Sequence, residues 1–320
     1  MDSSRRSRAL AERLLGRAEL TALDVARESG VEPDELRRLW QALGFAPVTD
    51  DEARFTRADV VAVRAVRSLV DVQQADPGDV LQLTRVIGHA MAAVSDAQVS
   101  VVAERLHRRA HEDATLPIEK LHGRIEALAP ALELALGYVW RRHLVRAAAQ
   151  LALAPSAAGL PLVIGFADLV DFTATTQALD PTELASMVER FQAAAHEQVV
   201  KRGGRVVKLI GDEVMFAIDD PTRAGEIALA LVEAHARRDD LPEIRVGLAC
   251  GPVLAWEGDF FGPAVNLASR LVNFARPSSV LVSDNLGELY QSEPGFKLRR
   301  LRPVKLKGIG KVRFGVLRRQ

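Results

Sequence analysis

Two aspartates sit where strand-like runs give way to turns. In GFADLVDFT (165–173) Asp168 closes an apolar run, and in KLIGDEVMF (208–216) Asp212 follows Gly211 directly. A carboxylate beside a core needs a partner, a metal or a full set of hydrogen bonds, because burying it bare is very costly. If the two strands lie side by side the carboxylates converge, and they repel each other unless a cation sits between them. Mg²⁺ suits such a place, since it takes one or two carboxylates together with phosphate oxygens and water. The turn after Asp168 would present the amides of Leu169 to Thr173, with Phe172 among them, near a helix N-terminus that favours anions. Singly, each aspartate reads more plainly as a cap; together they point to a metal–triphosphate site.

A third segment, GDFFGPAVNLASR (258–270), sets Asn266 and Arg270 four apart on one helical face, with Asp259 in the loop entering that helix. A fourth, KLKGIGK (305–311), is rich in Gly and Lys but lacks the P-loop spacing. FADLVDFT, KLIGDEVMF and DFFGPAVNLASR follow in this order over about 165–275. With them the chain resembles the class III nucleotidyl cyclases, across essentially all of 160–320.

The resemblance implies roles. Asp168 and Asp212 would hold two divalent cations, Mg²⁺ or Mn²⁺, for in-line attack of the ribose 3′-hydroxyl on the α-phosphorus. Asn266 would position the ribose, and Arg270 would stabilise charge developing on the phosphoryl oxygens. Lys208 and Asp259 look like the base-selecting pair: a lysine donates to adenine N1 and an aspartate accepts from the 6-amino group. Guanine reverses that pattern, so the expected substrate is ATP and the expected product cyclic AMP, with guanylyl cyclase activity as an alternative. Phe172 and Thr173 would line the phosphate loop, and Lys307 would meet the triphosphate. In this family the metal aspartates and the other four residues serve different sites, so a chain holding all six implies a homodimer. Asp171 departs from the small residue often found there.

The elements that must position these residues follow β-α-β-β-α-β order. The expected strands are 161–169, 205–210, 213–218 and 244–256; the expected helices are 182–202, capped by Asp180 or Thr182, and 221–238. A helix over 263–275 and strands FKLRRL and VRFGVLRR extend the unit. This is the ferredoxin-like α+β arrangement. Residues 1–150 read instead as all-helical, a regulatory or dimerisation domain, with 151–160 as linker and 161–320 as the catalytic domain. Its first 70 residues resemble a helix-turn-helix, but Arg37 and Arg38 are offset by Glu32, Asp34 and Glu35. A DNA reader needs an excess of base there, so a DNA-binding regulator is the weaker alternative.

Forty-two basic and 42 acidic residues balance, so no global charge draws the chain to nucleic acid or an anionic membrane. One cysteine, Cys250, excludes an internal disulfide and a cysteine-based zinc framework, and fits a reducing cytoplasm. The apolar stretch IEALAPALELALGYVW contains Glu126, Pro130 and Glu133, which reads as a packing helix and not a membrane span. Five of the seven histidines, His89, His107, His111, His122 and His143, lie in the helical half. Histidine titrates near physiological pH, so acid activation is an expectation for that half.

Overall fold

The computed structural model describes residues 2–73, 76–107, 118–152, 161–237 and 241–320. The chain forms two compact units, Met1–Gln150 and Leu151–Gln320.

The first unit is helical: α1 (Asp2–Leu15), α2 (Ala22–Ser29), α3 (Pro33–Ala42), α4 (Arg57–Gln73), α5 (Pro77–His107) and α6 (Ile118–Ala152), which runs to the unit boundary. Thr21 opens α2 with a capping box: its hydroxyl accepts from the Asp24 amide while the Asp24 carboxylate accepts from the Thr21 amide. Gly30, at φ 72°, closes the helix in the left-handed conformation that glycine adopts without penalty. Val25, Leu36, Phe55 and Val60 form a small core beneath α2–α4. Helix α5 is long and apolar enough to cross a membrane by length and composition alone. It also carries Asp79, Arg85, Asp96 and Glu104, and buries Val80, Thr84 and Val102. The stretch expected to pack inside α6 is helical, yet Leu128, Leu134, Tyr138, Val139 and Trp140 are exposed on the single chain.

The second unit starts with β1 (Pro161–Leu169), α7 (Phe172–Ala178), α8 (Pro181–Lys201), β2 (Arg205–Ile210), β3 (Glu213–Ile218), α9 (Pro221–Ala236) and β4 (Ile244–Pro252). It continues with β5 (Leu254–Trp256), β6 (Asp259–Phe261), α10 (Pro263–Phe274), β7 (Val280–Ser283) and α11 (Asp284–Ser292). The last strands are β8 (Phe296–Arg300), β9 (Val304–Leu306), β10 (Gly310–Val312) and β11 (Phe314–Arg319). Seven of these strands form one sheet in the order β2-β3-β1-β4-β7-β11-β8, whose first four reproduce the ferredoxin-like arrangement. The expected strand over 244–256 breaks after Pro252, and Leu254–Trp256 pairs with β6 in a separate two-stranded ribbon. Proline lacks the amide that would continue the ladder.

Both faces of the sheet are covered, so β1 reads as an unbroken apolar run instead of an alternation. One face, with Val163, Ala167, Phe216 and Val246, packs under α8 and α9 through Phe191, Val199 and Ile227. The other, with Ile164, Phe166, Met215 and Ala249, packs against α10 through Ala268 and Val272. The polar residues of interest emerge on this second face.

Candidate functional site

Asp168 sits second from the end of β1, directly opposite Glu213 of β3 and Arg245 of β4. Residues paired across strands share a face, so the three side chains project on the α10 side. Asp168 is almost fully buried. Arg245 holds it with two hydrogen bonds to one carboxylate oxygen: Nε donates to Oδ2 at 2.8 Å and Nη2 donates to the same atom at 2.6 Å.

Asp212 occupies the two-residue turn between Ile210 and Glu213. Gly211 takes φ 61° there, the glycine-first pattern of a tight hairpin. The turn is tied back to β1, since the Leu169 amide donates to the Asp212 carbonyl at 3.1 Å. Asp212 thereby faces Asp168. Burial pushes the Asp168 carboxyl above its usual range, Arg245 pulls it down, and the neighbouring Asp212 raises it again. Glu213 is pushed up to about 7, first by burial and then by the charges of Asp168 and Asp212. Three acids and one arginine thus share a small volume, and a dication placed there would relieve the repulsion.

Among the described residues no group of three or more His, Cys, Asp or Glu side chains is arranged to hold a metal by itself. Two hard carboxylates that rely on phosphate oxygens and water for the remaining ligands are what Mg²⁺ or Mn²⁺ would use. The residues fit that role.

Lys208 reaches the same face through a bulge. Val206 pairs with Phe216 but Lys208 pairs with Met215, so Val207 is an extra residue on β2. Without it Lys208 would point under α8; with it Lys208 joins the face of Met215 and α10. Its Nζ donates to Asp259 Oδ2 at 2.5 Å, although the two residues lie 51 apart in sequence. Asp259 begins strand β6 and does not lie in an irregular loop, and its other oxygen accepts from the Phe260 amide at 2.8 Å. Asn266 and Arg270 are both exposed on the outer side of α10.

The turn after β1 offers fewer amides to an anion than the sequence implies. The Leu169 amide is committed to Asp212, and the Val170 amide donates to the Glu243 carbonyl at 2.8 Å. Asp171 follows as the N-cap of α7 at φ 56°, without a side-chain cap bond among the described residues. Phe172 packs partly against the core under α8, and the side chain of Thr173 lies outside the described residues. Lys307 stands exposed in the turn joining β9 and β10.

Arg245 and Glu213 were not foreseen as site residues. The signal for Arg245 was present, because a carboxylate at the end of a buried strand demands a cation and IRVGLACG carries one isolated arginine.

Residues 161–318 match the adenylate and guanylate cyclase catalytic domain, and residues 3–137 match the adenylate cyclase regulatory domain. An adenylate cyclase of Streptomyces coelicolor is 38% identical over 271 residues, covering 84% of this chain and 71% of that protein. One from Streptomyces griseus is 38% identical, covering 82% of this chain and 66% of its own length. A pH-sensitive adenylate cyclase of Mycobacterium tuberculosis is 30% identical over 313 residues, covering 94% of this chain and 78% of that protein. The chain belongs to the class III nucleotidyl cyclases, in the adenylate cyclase branch whose catalytic domain follows this helical regulatory domain.

Proposed function

We propose that the chain converts ATP to 3′,5′-cyclic AMP and pyrophosphate at sites shared between two copies. The observation that carries this reading is the convergence of Asp168 with Asp212 on the sheet face that also bears the Lys208–Asp259 pair. Divalent cations held by Asp168 and Asp212 would activate the ribose hydroxyl and neutralise the triphosphate. Lys208 and Asp259, preformed as a pair, would donate to adenine N1 and accept from the 6-amino group. Guanine would leave both unmatched in a half-buried site, which disfavours GTP. Asn266 would orient the ribose and Arg270 would stabilise the charge that grows on the phosphoryl oxygens. Lys307 would contact the triphosphate.

Two features support a second copy. Ile210 on β2 and Leu254, Trp256 and Phe261 on the β5–β6 ribbon, the elements that carry Lys208 and Asp259, are exposed, and large apolar side chains left in the open ask for a cover. Residues 296–320 carry ten Lys and Arg and no Asp or Glu, while the acids of the unit lie before them. That segregation suits head-to-tail pairing of two catalytic units.

The reading of the helical unit as a regulator, pH-responsive as in the mycobacterial relative's name, belongs to the same proposal, as does a cytoplasmic setting. DNA binding is disfavoured further by Arg37, whose guanidinium is engaged by Asp34 and Asp50.

Mixing Asp168→Ala with Arg270→Ala tests the shared site. Each variant alone should be inactive, and the mixture should recover up to about a quarter of wild-type activity through the dimers that keep one intact site. A mixture that never exceeds the single variants contradicts the arrangement.

A further inference from the structure

Strand β2 is the edge of the seven-stranded sheet, and the β5–β6 ribbon that carries Asp259 forms a sheet of its own. No strand ladder therefore fixes one against the other, and their relation rests on side chains. Within the two strands of the ribbon only Phe260 is buried, while Leu254, Ala255, Trp256 and Phe261 stand open. The guanidinium of Arg205, the first residue of β2, lies over the Phe260 ring with its central carbon 4.8 Å from the ring centroid. Lys208 bonds Asp259, the neighbour of Phe260, and the Phe260 amide donates to the other oxygen of that carboxylate.

On a regular strand two positions three apart point to opposite sides of the sheet. The extra residue at Val207 changes that for Arg205 and Lys208. Arg205 pairs with Ala217 and Lys208 with Met215, and both partners belong to the cluster beneath α10. The bulge thus sets two cations on one face, where they grip consecutive residues of β6.

We propose that Arg205 is a positioning residue for base selection: stacked on Phe260, it fixes β6 against β2 and so holds Asp259 in place for the base. The proposal rests on the reading of Lys208 and Asp259 as the base-selecting pair. The ion pair orients little by itself, because an ammonium is a point charge on a flexible stem that the aspartate can follow. A guanidinium laid on the negative face of a ring is planar and confined, and it anchors the one buried side chain of the ribbon. Rejection of guanine depends on polar groups that cannot turn away when they are mismatched. With β6 loosened, adenine would lose a preformed acceptor and guanine would meet a smaller penalty. The residues read as metal ligands and as the charge-stabilising arginine lie on β1, the β2–β3 turn and α10, so turnover should change little. A rise in KM at constant kcat is the mark of such lost uniform binding.

The test measures, for the full chain with Mn²⁺, kcat and KM for ATP and the Ki of GTP as a competitor. Arg205→Gln should raise the KM for ATP by about 3–10-fold, the size expected of a partly desolvated cation–ring stack. Its kcat should stay within about twofold of wild type. The Ki of GTP should not rise with KM, so the preference for ATP narrows. Arg205→Lys, which keeps a cation over the ring, should recover part of the loss. Phe260→Leu keeps an apolar anchor but removes the ring; it should reproduce Arg205→Gln, and the double variant should be no worse than either single one. A merely structural role would lower the melting temperature and kcat and leave the ratio of Ki to KM unchanged. A folded Arg205→Gln protein with the wild-type ratio, or effects of the two substitutions that add, overturns the positioning role. If Phe260→Leu does not fold, the comparison of Arg205→Gln with Arg205→Lys decides. Asp259→Ala separates the two readings: a ratio that survives it overturns the base-selecting pair and this proposal with it, whereas a ratio lost there but kept in Arg205→Gln overturns the role of Arg205 only. A wild-type chain that cyclises no ATP overturns both.

Discussion

At the scale of single residues the chemistry is set by acids held where water is scarce. Burial and then the charges of Asp168 and Asp212 push the Glu213 carboxyl up to about 7 from its ordinary value of 4.5. A folded-state value raised above the unfolded one means that the folded protein holds a proton which the unfolded chain has already released. Stability should therefore fall as pH rises from about 4.5 through 7. Glu213→Gln should remove that slope and raise stability at pH 8 by about 1–2 kcal/mol, after allowance for partial exposure. Melting curves between pH 5 and 8 check it, and parallel curves for the two proteins would show that Glu213 is not the titrating group. Asp168, Asp212, Lys208, Asp259, Asn266 and Arg270 were named from the sequence by their place in apolar runs, their helical spacing and the family resemblance, and the structure sets Asp168 beside Asp212 and Lys208 beside Asp259. Arg245 was not read, although the burial of Asp168 demanded it. Matching cation to carboxylate needs the β1–β4 register, and 77 residues of chain separate the two.

At the scale of elements the site depends on how closely α10 lies on the sheet. A methyl group added at Gly247 of β4 would stand 2.4 Å from the Val272 amide nitrogen and 2.5 Å from the Ala268 carbonyl oxygen. Backbone cannot yield as a flexible side chain does, so Gly247→Ala should lift the helix that carries Asn266 and Arg270. Overpacking of this kind typically costs about 1–3 kcal/mol. The expected outcome is a lowered melting temperature together with a loss of turnover larger than the stability change explains. Unchanged turnover in the folded variant would mean that α10 does not set the geometry of the site. Strands β1, β2 and β3 were readable to the residue because Pro161, the Gly203–Gly204 pair and the Gly211–Asp212 turn punctuate them. The bulge at Val207 was not readable, since nothing in RVVKLI marks one valine as extra. Nor were β7 and α11, where SVLVSDNLGELYQS packs a four-residue strand and a nine-residue helix with no glycine or proline between them.

At the scale of the whole molecule two units of different character are joined through the segment around 151–160. The helical unit supplies exposed His89 and His143 and half-buried His122, while His111 lies outside the described residues. The one buried histidine among the described residues is His235 in the catalytic unit, whose Nδ1 lies 2.9 Å from the Leu231 carbonyl. If the helical unit senses pH, the ratio of activities at pH 5.5 and 8 should differ between the full chain and a chain starting at Leu160. Equal ratios would assign any pH response to the catalytic unit itself. The apolar stretch of α6 reads in the sequence as a buried or packing helix, and sequence alone cannot separate packing within a chain from packing against a second one. The most direct test of the account as a whole is cyclic nucleotide formation by the purified full chain with Mn²⁺ and either ATP or GTP, measured by mass. The account predicts cyclic AMP with little cyclic GMP, abolished by Asp212→Ala; cyclic GMP as the main product, or cyclic AMP that survives Asp212→Ala, would contradict it.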